Sequence, residues 1–311
     1  IIGAGLLMHN LDTTIIANAL PTMAREMGEQ PLALNLAISL YMLSAAIFLP
    51  VSAWVADRFG ARKVFMAAMG GFALASLLCG LAQNLPQIIA ARVLQGMAGA
   101  MMLPVGRLVL LRTAPKEQMI DAMAMLTVPA LIGPIVGPAL GGFIISIANW
   151  QWVFFINIPV AVIGVALTAR YVPSIREAAP GRFDLTGFVL TALGLGGLVF
   201  GLESLGNGVV PAPGAWALMA IGAIACGLYV SHARRTPNPI VDFSVLKIPT
   251  FFASLVGGVF PRILIGGTPF LMALLLAILC LTGSLVLLPQ AIVPRYQAAK
   301  ARVKPVPVVT P

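Results

Sequence analysis

Long apolar runs alternate with short polar stretches along most of the chain. The runs cover about 1–23, 34–55, 64–83, 86–111, 119–147, 152–171, 184–204 and 214–232. Each lies near the ~20 residues with which an α-helix crosses a bilayer. A backbone in lipid must satisfy its own hydrogen bonds, so runs of this length predict helices. A ninth run, about 250–289, is longer than one span requires; it reads as one helix with a re-entrant piece, or as two short helices. From Pro289 to Pro311 the chain carries Arg295, Lys300, Arg302 and Lys304, no acid and many prolines, which reads as a flexible, disordered basic tail.

Composition agrees with the pattern. Of 311 residues, 59% are hydrophobic and 9% are charged, against about 45–50% apolar and about 25% charged in ordinary soluble domains. So few charges cannot cover a soluble globule of this size. That excludes a soluble enzyme, a wholly disordered chain and a coiled coil, and leaves an all-α, polytopic membrane helix bundle. The net charge of +9 invites a nucleic-acid reading, but its distribution answers to the positive-inside rule. Arg58, Arg62 and Lys63, then Arg107, Arg112 and Lys116, then Arg170, Arg176 and Arg182, then Arg234, Arg235 and Lys247 all fall around alternate loops. The other loops offer only Arg25. This asymmetry places the N-terminus and the basic loops in the cytoplasm, with no nucleic-acid partner. Trp150 and Trp152, in an uncharged turn on the other side, are expected as interfacial anchors. Cys79, Cys226 and Cys280 lie in apolar runs at no metal spacing and read as packing residues, with no disulfide. The chain starts with Ile1 inside an apolar segment, with no cleavable signal peptide, and reads as lacking its true start.

Asp12, Arg92, Arg107 and Arg262 are charges inside apolar runs. Each costs several kcal/mol at mid-bilayer and requires a partner or a watery cavity. Asp12 is near mid-depth in its span, and Arg92 lies somewhat shallower but within reach of its long side chain. Two readings stand side by side: a proton or cation site in a cavity, and a static buried pair joining two helices. His9 is one turn before Asp12 on the same face and could tune it. Arg107 and Arg262 have no evident partner. The segment Ala53 to Lys63 reads as a tight charged loop in which Gly60 supplies a positive φ and Asp57 can meet an arginine or a helix N-terminus. In the fifth span, Gly133, Gly137 and Gly141 recur every four residues on one face, where a second backbone can come close, and Pro134 and Pro138 bend the helix. No P-loop, His/Cys metal spacing or credible catalytic triad is present, so no enzyme is expected.

These segments resemble the major facilitator superfamily, and within it the drug:proton antiporters of the fourteen-helix EmrB/QacA type. Leu11-Asp12-Thr13-Thr14 through Pro21 resembles that group's first-helix motif. Ala53 to Lys63 resembles the helix 2–3 loop motif, with Ala53 where Gly is usual. Arg92-Val93-Leu94-Gln95-Gly96 through Ala100 is similar to the helix-four motif, and Gly133 to Gly142 to the antiporter motif of helix five. Trp150 to Pro159, with Gln151 where Arg is common, and Phe183-Asp184-Leu185-Thr186-Gly187 also fit, and Met101 to Arg107 resembles the branch called multidrug resistance protein D.

The resemblance implies an N-terminal six-helix half-bundle over 1–172, an inserted helix pair over 173–233, a partial start of the second half over 234–288, and the tail 289–311. It covers about 10–270, which implies a C-terminally truncated chain. It implies proton-coupled efflux of amphipathic drugs or related small molecules by alternating access. Asp12, Arg92 and Gln95 would serve coupling and substrate. Asp57, Arg58, Gly60, Arg62 and Lys63 would gate, and Gly133, Pro134, Gly137, Pro138, Gly141 and Gly142 would pack at a moving interface. The proton gradient would be the energy source, with no cofactor or metal. The expected surroundings are the bacterial cytoplasmic (inner) membrane and its lipid, with no obligate protein partner. An inactive membrane fragment and an uptake carrier for a polar solute remain the alternative readings.

Overall fold

The computed structural model describes residues 2–173, 181–208 and 210–259. The run beyond 259, the tail, Arg176, Arg262 and Cys280 lie outside the described residues. Among those described, every long element is a helix. The chain divides at Asp242/Phe243 into two units. The expected half-bundle and inserted pair both fall in the first. In the second, a 3₁₀ turn over Phe243–Lys247 precedes an apolar helix over Pro249–Val259.

The first unit opens with α1 (Ile2–Met27), which ends where Gly28 takes φ +67° and Glu29 N–H returns to Ala24 O at 2.9 Å. Glycine at this place lets the chain leave the helix while covering a free carbonyl. The expected span 34–55 is a broken pair instead: α2 (Pro31–Phe48) and α3 (Val51–Phe59) meet at a 57° bend. Pro50 cannot donate its backbone hydrogen bond and crowds the preceding turn. This also corrects the expected loop over Ala53–Lys63. Helix runs to Phe59 and resumes at Ala61, and Gly60 alone, at φ +92° and ψ 130°, makes the joint. An L-side chain there would be strained, so one glycine does the work expected of a whole loop.

Three further long helices are α4 (Ala61–Leu81), α5 (Leu85–Thr113) and α6 (Met119–Ile147). Asn84 caps α5 by accepting Gln87 N–H at 3.0 Å. The run 152–171 is α7 (Trp152–Phe155) and α8 (Asn157–Tyr171), interrupted at Ile156. Then α9 (Leu185–Asn207) and α10 (Ala212–Ala233) pack on each other. Among the described residues, α4, α5, α7–α8, α9 and α10 are each long and apolar enough to cross a membrane, and the α2–α3 pair passes the same test when its two helices are taken together. Against the eight spans expected, α1 carries Asn10, Asp12 and Asn18 among its apolar residues, and α6 counts only as two shorter apolar stretches on either side of 130–134.

The helix α1 lies along α6 and touches α2, α5, α7 and α8, while α4 sits against α5 and α8. Two apolar clusters result. One gathers Ile15, Ile16, Met23, Ile88, Trp150 and Phe154. The other gathers Met8, Tyr41, Phe65, Phe72 and Met102. Along α1, the buried Asp12 falls between Met8 of one cluster and Ile15 of the other. Outward side chains such as Leu74, Leu81, Val162, Ile163 and Ile224 are large, apolar and exposed, as a lipid-facing surface requires. Trp150 departs from its expected interfacial role: only 2% of it is exposed, and its indole N–H donates to Glu26 Oε2 at 2.8 Å. Trp152 does face outward.

Candidate functional site

Asp12 and Arg92 are each at most 1% exposed, yet charged, so their partners decide whether the bundle tolerates them. Arg92 Nη1 donates to Asp12 Oδ2 at 2.5 Å and to Gln95 Oε1 at 2.6 Å. Gln95 Nε2 donates to Asp12 Oδ1 at 2.8 Å and to Ser76 Oγ at 2.8 Å. From α8, Asn157 Nδ2 donates to the same Oδ1 at 2.9 Å and reaches Ser76 Oγ at 3.4 Å. Both carboxylate oxygens therefore accept, and one of the three donors is a cation. Such charge-assisted bonds are the strong ones, and they offset part of the cost of taking two charges out of water.

The guanidinium is held from a second side. Its Cζ lies 4.1 Å from the centroid of the Tyr41 ring, with Phe154 farther off at 5.9 Å, and its Nε donates to Ala37 O at 3.4 Å. A cation over an aromatic face gains about 2 kcal/mol or more when desolvated. Tyr41 can come this close because of Gly96, one turn beyond Arg92. A Cβ on Gly96 would collide with the Tyr41 carbonyl oxygen. The Arg92-to-Gly96 spacing thus supplies both the charge and the gap through which α2 approaches it. Nη2 of Arg92 is buried without a hydrogen-bond partner among the described residues.

The structure brings Asp12, Arg92 and Gln95 together and adds Ser76, Asn157 and Tyr41. His9 does not bond Asp12; its Nδ1 shares a hydrogen bond with the Tyr41 hydroxyl at 2.7 Å. Arg107 is exposed and stands apart, at the rim of a cleft lined by Ala53, Ala56 and Leu108. A separate groove of about 740 Å³ among α2, α3, α4 and α5 is lined by apolar side chains and Lys63, and none of Asp12, Arg92 or Gln95 borders it. Among the described residues no group of three or more His, Cys, Asp or Glu could hold a metal ion.

The Asp57 segment is remote from this site. Asp57 Oδ1 pairs with Arg112 Nη2 at 3.2 Å, so the carboxylate meets the end of α5. Arg62 donates to Ala169 O near the end of α8, and Trp54 Nε1 donates to Gly181 O at 2.8 Å. Arg58 and Lys63 are exposed. Several of the basic stretches are thereby drawn to one end of the bundle. The glycine face of α6 lies against α1: a Cβ on Gly133 would meet Asn10, on Gly137 Thr14 and on Gly141 Ile15, whereas Gly142 faces open space. Asn18 Nδ2 also donates to Pro138 O at 2.6 Å. Of Pro134 only the backbone, within α6, is described. Elsewhere, Asp184 caps α9 through Gly187 N–H at 2.8 Å and bonds His232 at 2.7 Å. Burial pushes its carboxyl up, but the bonds from Gly187, His232 and Ile240 outweigh it and hold the carboxyl below the ordinary value.

The sequence profile of the Major Facilitator Superfamily matches residues 2–301 of the chain. A protein of Escherichia coli O139:H28 (strain E24377A / ETEC) named multidrug resistance protein MdtD is 42% identical over 279 residues, covering 89% of this chain and 59% of that protein. A protein of the same name from Salmonella heidelberg (strain SL476) is 41% identical over 282 residues, with the same shares. This chain therefore spans about 59% of the length of the relatives it matches. Among solved structures it is similar to a bacterial homologue of the human lysosomal transporter Spinster, inward-facing and unoccupied, with TM-score 0.44 and 19% identity over 76% of this chain and 62% of that one.

Proposed function

The chain belongs to the Major Facilitator Superfamily, a family of integral membrane transporters and not of enzymes, and from that premise we propose that it works in proton-coupled efflux of amphipathic small molecules. The observation that carries the reading is the buried Asp12–Arg92–Gln95–Asn157 network. A carboxylate inside a membrane bundle is costly and marks ion or proton paths. Here it can exist charged, with Arg92 as counter-ion, or neutral, with the guanidinium left on Tyr41 and Gln95. Taking or losing one proton therefore changes what holds α1 to α5. The relatives' name, multidrug resistance protein, supports drugs or related compounds as the cargo class. Alternating access works by two half-bundles rocking about a midplane site. In this reading the α3–α4 joint, with Asp57, Arg58, Gly60, Arg62 and Lys63, gates, and α6 carries the sliding face.

The test uses a carrier of the relatives' length: the described helices of this chain followed by the remainder of the Escherichia coli protein. Everted proteoliposomes given an inwardly acidic pH gradient should accumulate a cationic dye saturably, and should stop when the gradient is collapsed. Movement that ignores the gradient would overturn proton coupling.

For surroundings, we place the chain in the bacterial cytoplasmic membrane with the basic end of the bundle inside. With Cys79, Cys226 and Cys280 replaced by Ala, Arg58→Cys should resist an impermeant thiol reagent in intact cells, while Asn149→Cys should react. The reverse labelling would invert the topology.

A further inference from the structure

Three side chains from other helices hold the Asp12 carboxylate, and they are not equivalent. A carboxylate only accepts hydrogen bonds, whereas a carboxylic acid has an O–H to donate. When Asp12 takes a proton, one partner must change from donor to acceptor. Arg92 cannot, because a guanidinium has no acceptor; a proton on Oδ2 would face its N–H at 2.5 Å. Gln95 has an acceptor, but Oε1 already receives Arg92 Nη1 at 2.6 Å and Cys79 Sγ at 3.6 Å. Turning that amide over would set its NH₂ against the guanidinium.

Asn157 is under no such constraint. Its Nδ2 serves Asp12 Oδ1 and Ser76 Oγ, and no hydrogen bond among the described residues ties its Oδ1. The terminal torsion of Asn is broad and roughly two-fold, so a half-turn exchanges donor and acceptor. The Ser76 hydroxyl, free to rotate, can serve either orientation. The backbone presents Asn157 for this purpose: α7 stops at Phe155, and Asn157 is the first residue of α8. Pro159 lies in that first turn, where its missing N–H costs nothing.

Resting on the reading of Asp12 as proton carrier, we propose that Asn157 is a positioning residue that reads the protonation state of Asp12: it donates to the carboxylate and turns its amide to accept from the acid, so that the proton lodges on Oδ1. A proton from water adds to Oδ1, the carboxylate charge is lost, and no bond to carbon forms or breaks; release is the reverse. Other titratable groups facing Asp12 are His9 on its own helix, Tyr41 on α2, Cys79 on α4 and Arg92 on α5. The α6 helix carries only Asp121, in its first turn, α7 carries none, and α8 only Arg170 and Tyr171, at its far end.

The purified full chain is titrated by infrared difference spectroscopy, and the carboxylic acid band that Asp12→Asn removes is assigned to Asp12. In Asn157→Leu that band should move to higher frequency, because the acid has lost its acceptor. Its midpoint should also move up by about one pH unit, a tenfold change, because the charge-assisted bond lost by the carboxylate outweighs the neutral one lost by the acid. Asn157→Ser, which keeps a donor and an acceptor, should hold the frequency near that of the unsubstituted chain. If Asn157→Leu does not accumulate, Asn157→Ala makes the same comparison. A band whose frequency is unmoved by losing Asn157 overturns the proposal while leaving Asp12 as proton carrier. Absence of any band removed by Asp12→Asn overturns both.

Discussion

Asp12→Asn should leave the bundle folded and abolish the gradient-driven export proposed for the full-length fusion. The substitution is nearly isosteric, and the new amide oxygen can still accept from Arg92 or from Gln95. The guanidinium keeps the Tyr41 ring at 4.1 Å and the Gln95 oxygen at 2.6 Å, so it is not left bare. What is lost is the ability to alternate between a charged and a neutral state. An amide does not take up or release a proton at any relevant pH, so the Asp12–Arg92 attraction cannot be switched. Export by the full-length fusion should fall to the level of empty liposomes, while membrane accumulation and helix content match the unsubstituted protein. A coupled rate within about threefold of that protein would reduce Asp12 to one half of a structural pair, since loss of an essential acid/base group typically costs 10²-fold or more.

Parts of this site are legible in the sequence because charge in an apolar run is rare and expensive. Asp12 and Arg92 announce themselves in that way, and Gln95 follows from its motif. Asn157 lies within the Trp150-to-Pro159 motif but carries no charge to single it out, and Ser76 and Tyr41 stand in no motif. A hydroxyl in a membrane helix can bond a carbonyl of its own preceding turn, as Thr13 does to His9 O at 2.7 Å and Thr127 to Met123 O at 2.8 Å. Nothing local distinguishes such a residue from Ser76, whose Oγ instead receives Gln95. The same holds for Trp150. A tryptophan in an uncharged turn resembles an interfacial anchor, and only Glu26, at the end of a helix far away in sequence, turns it inward. Helix limits are legible where a cap marks them, as at Asp184 for α9. The breaks at Pro50 and Ile156 are not, because a polypeptide apolar on both sides of a break shows no change in hydrophobic pattern.

Arg92→Leu should be the most destabilising single change at the site. Removing the arginine leaves Asp12 buried with two neutral amides and no counter-charge. Breaking a buried pair in this way costs about 3–5 kcal/mol, because the remaining ion is uncompensated. The reverse deletion should be milder, since Arg92 retains the Tyr41 face, the Gln95 oxygen and the Ala37 carbonyl. The two changes should not add. In Asp12→Asn with Arg92→Leu no unpaired charge remains, and the double variant should be more stable than Arg92→Leu alone, as neighbours sharing one network couple strongly. The penalty of Arg92→Leu should also shrink as the pH falls, because Asp12 can then take a proton and shed the charge that nothing balances. Equilibrium unfolding of the chain in mixed micelles, read by helix content at neutral and acidic pH, measures all three. If Arg92→Leu and Asp12→Asn cost the same, and the double variant costs their sum at both pH values, the two charges are independent of each other. The exchange of partners on which the proposed proton coupling rests would then have no energetic basis.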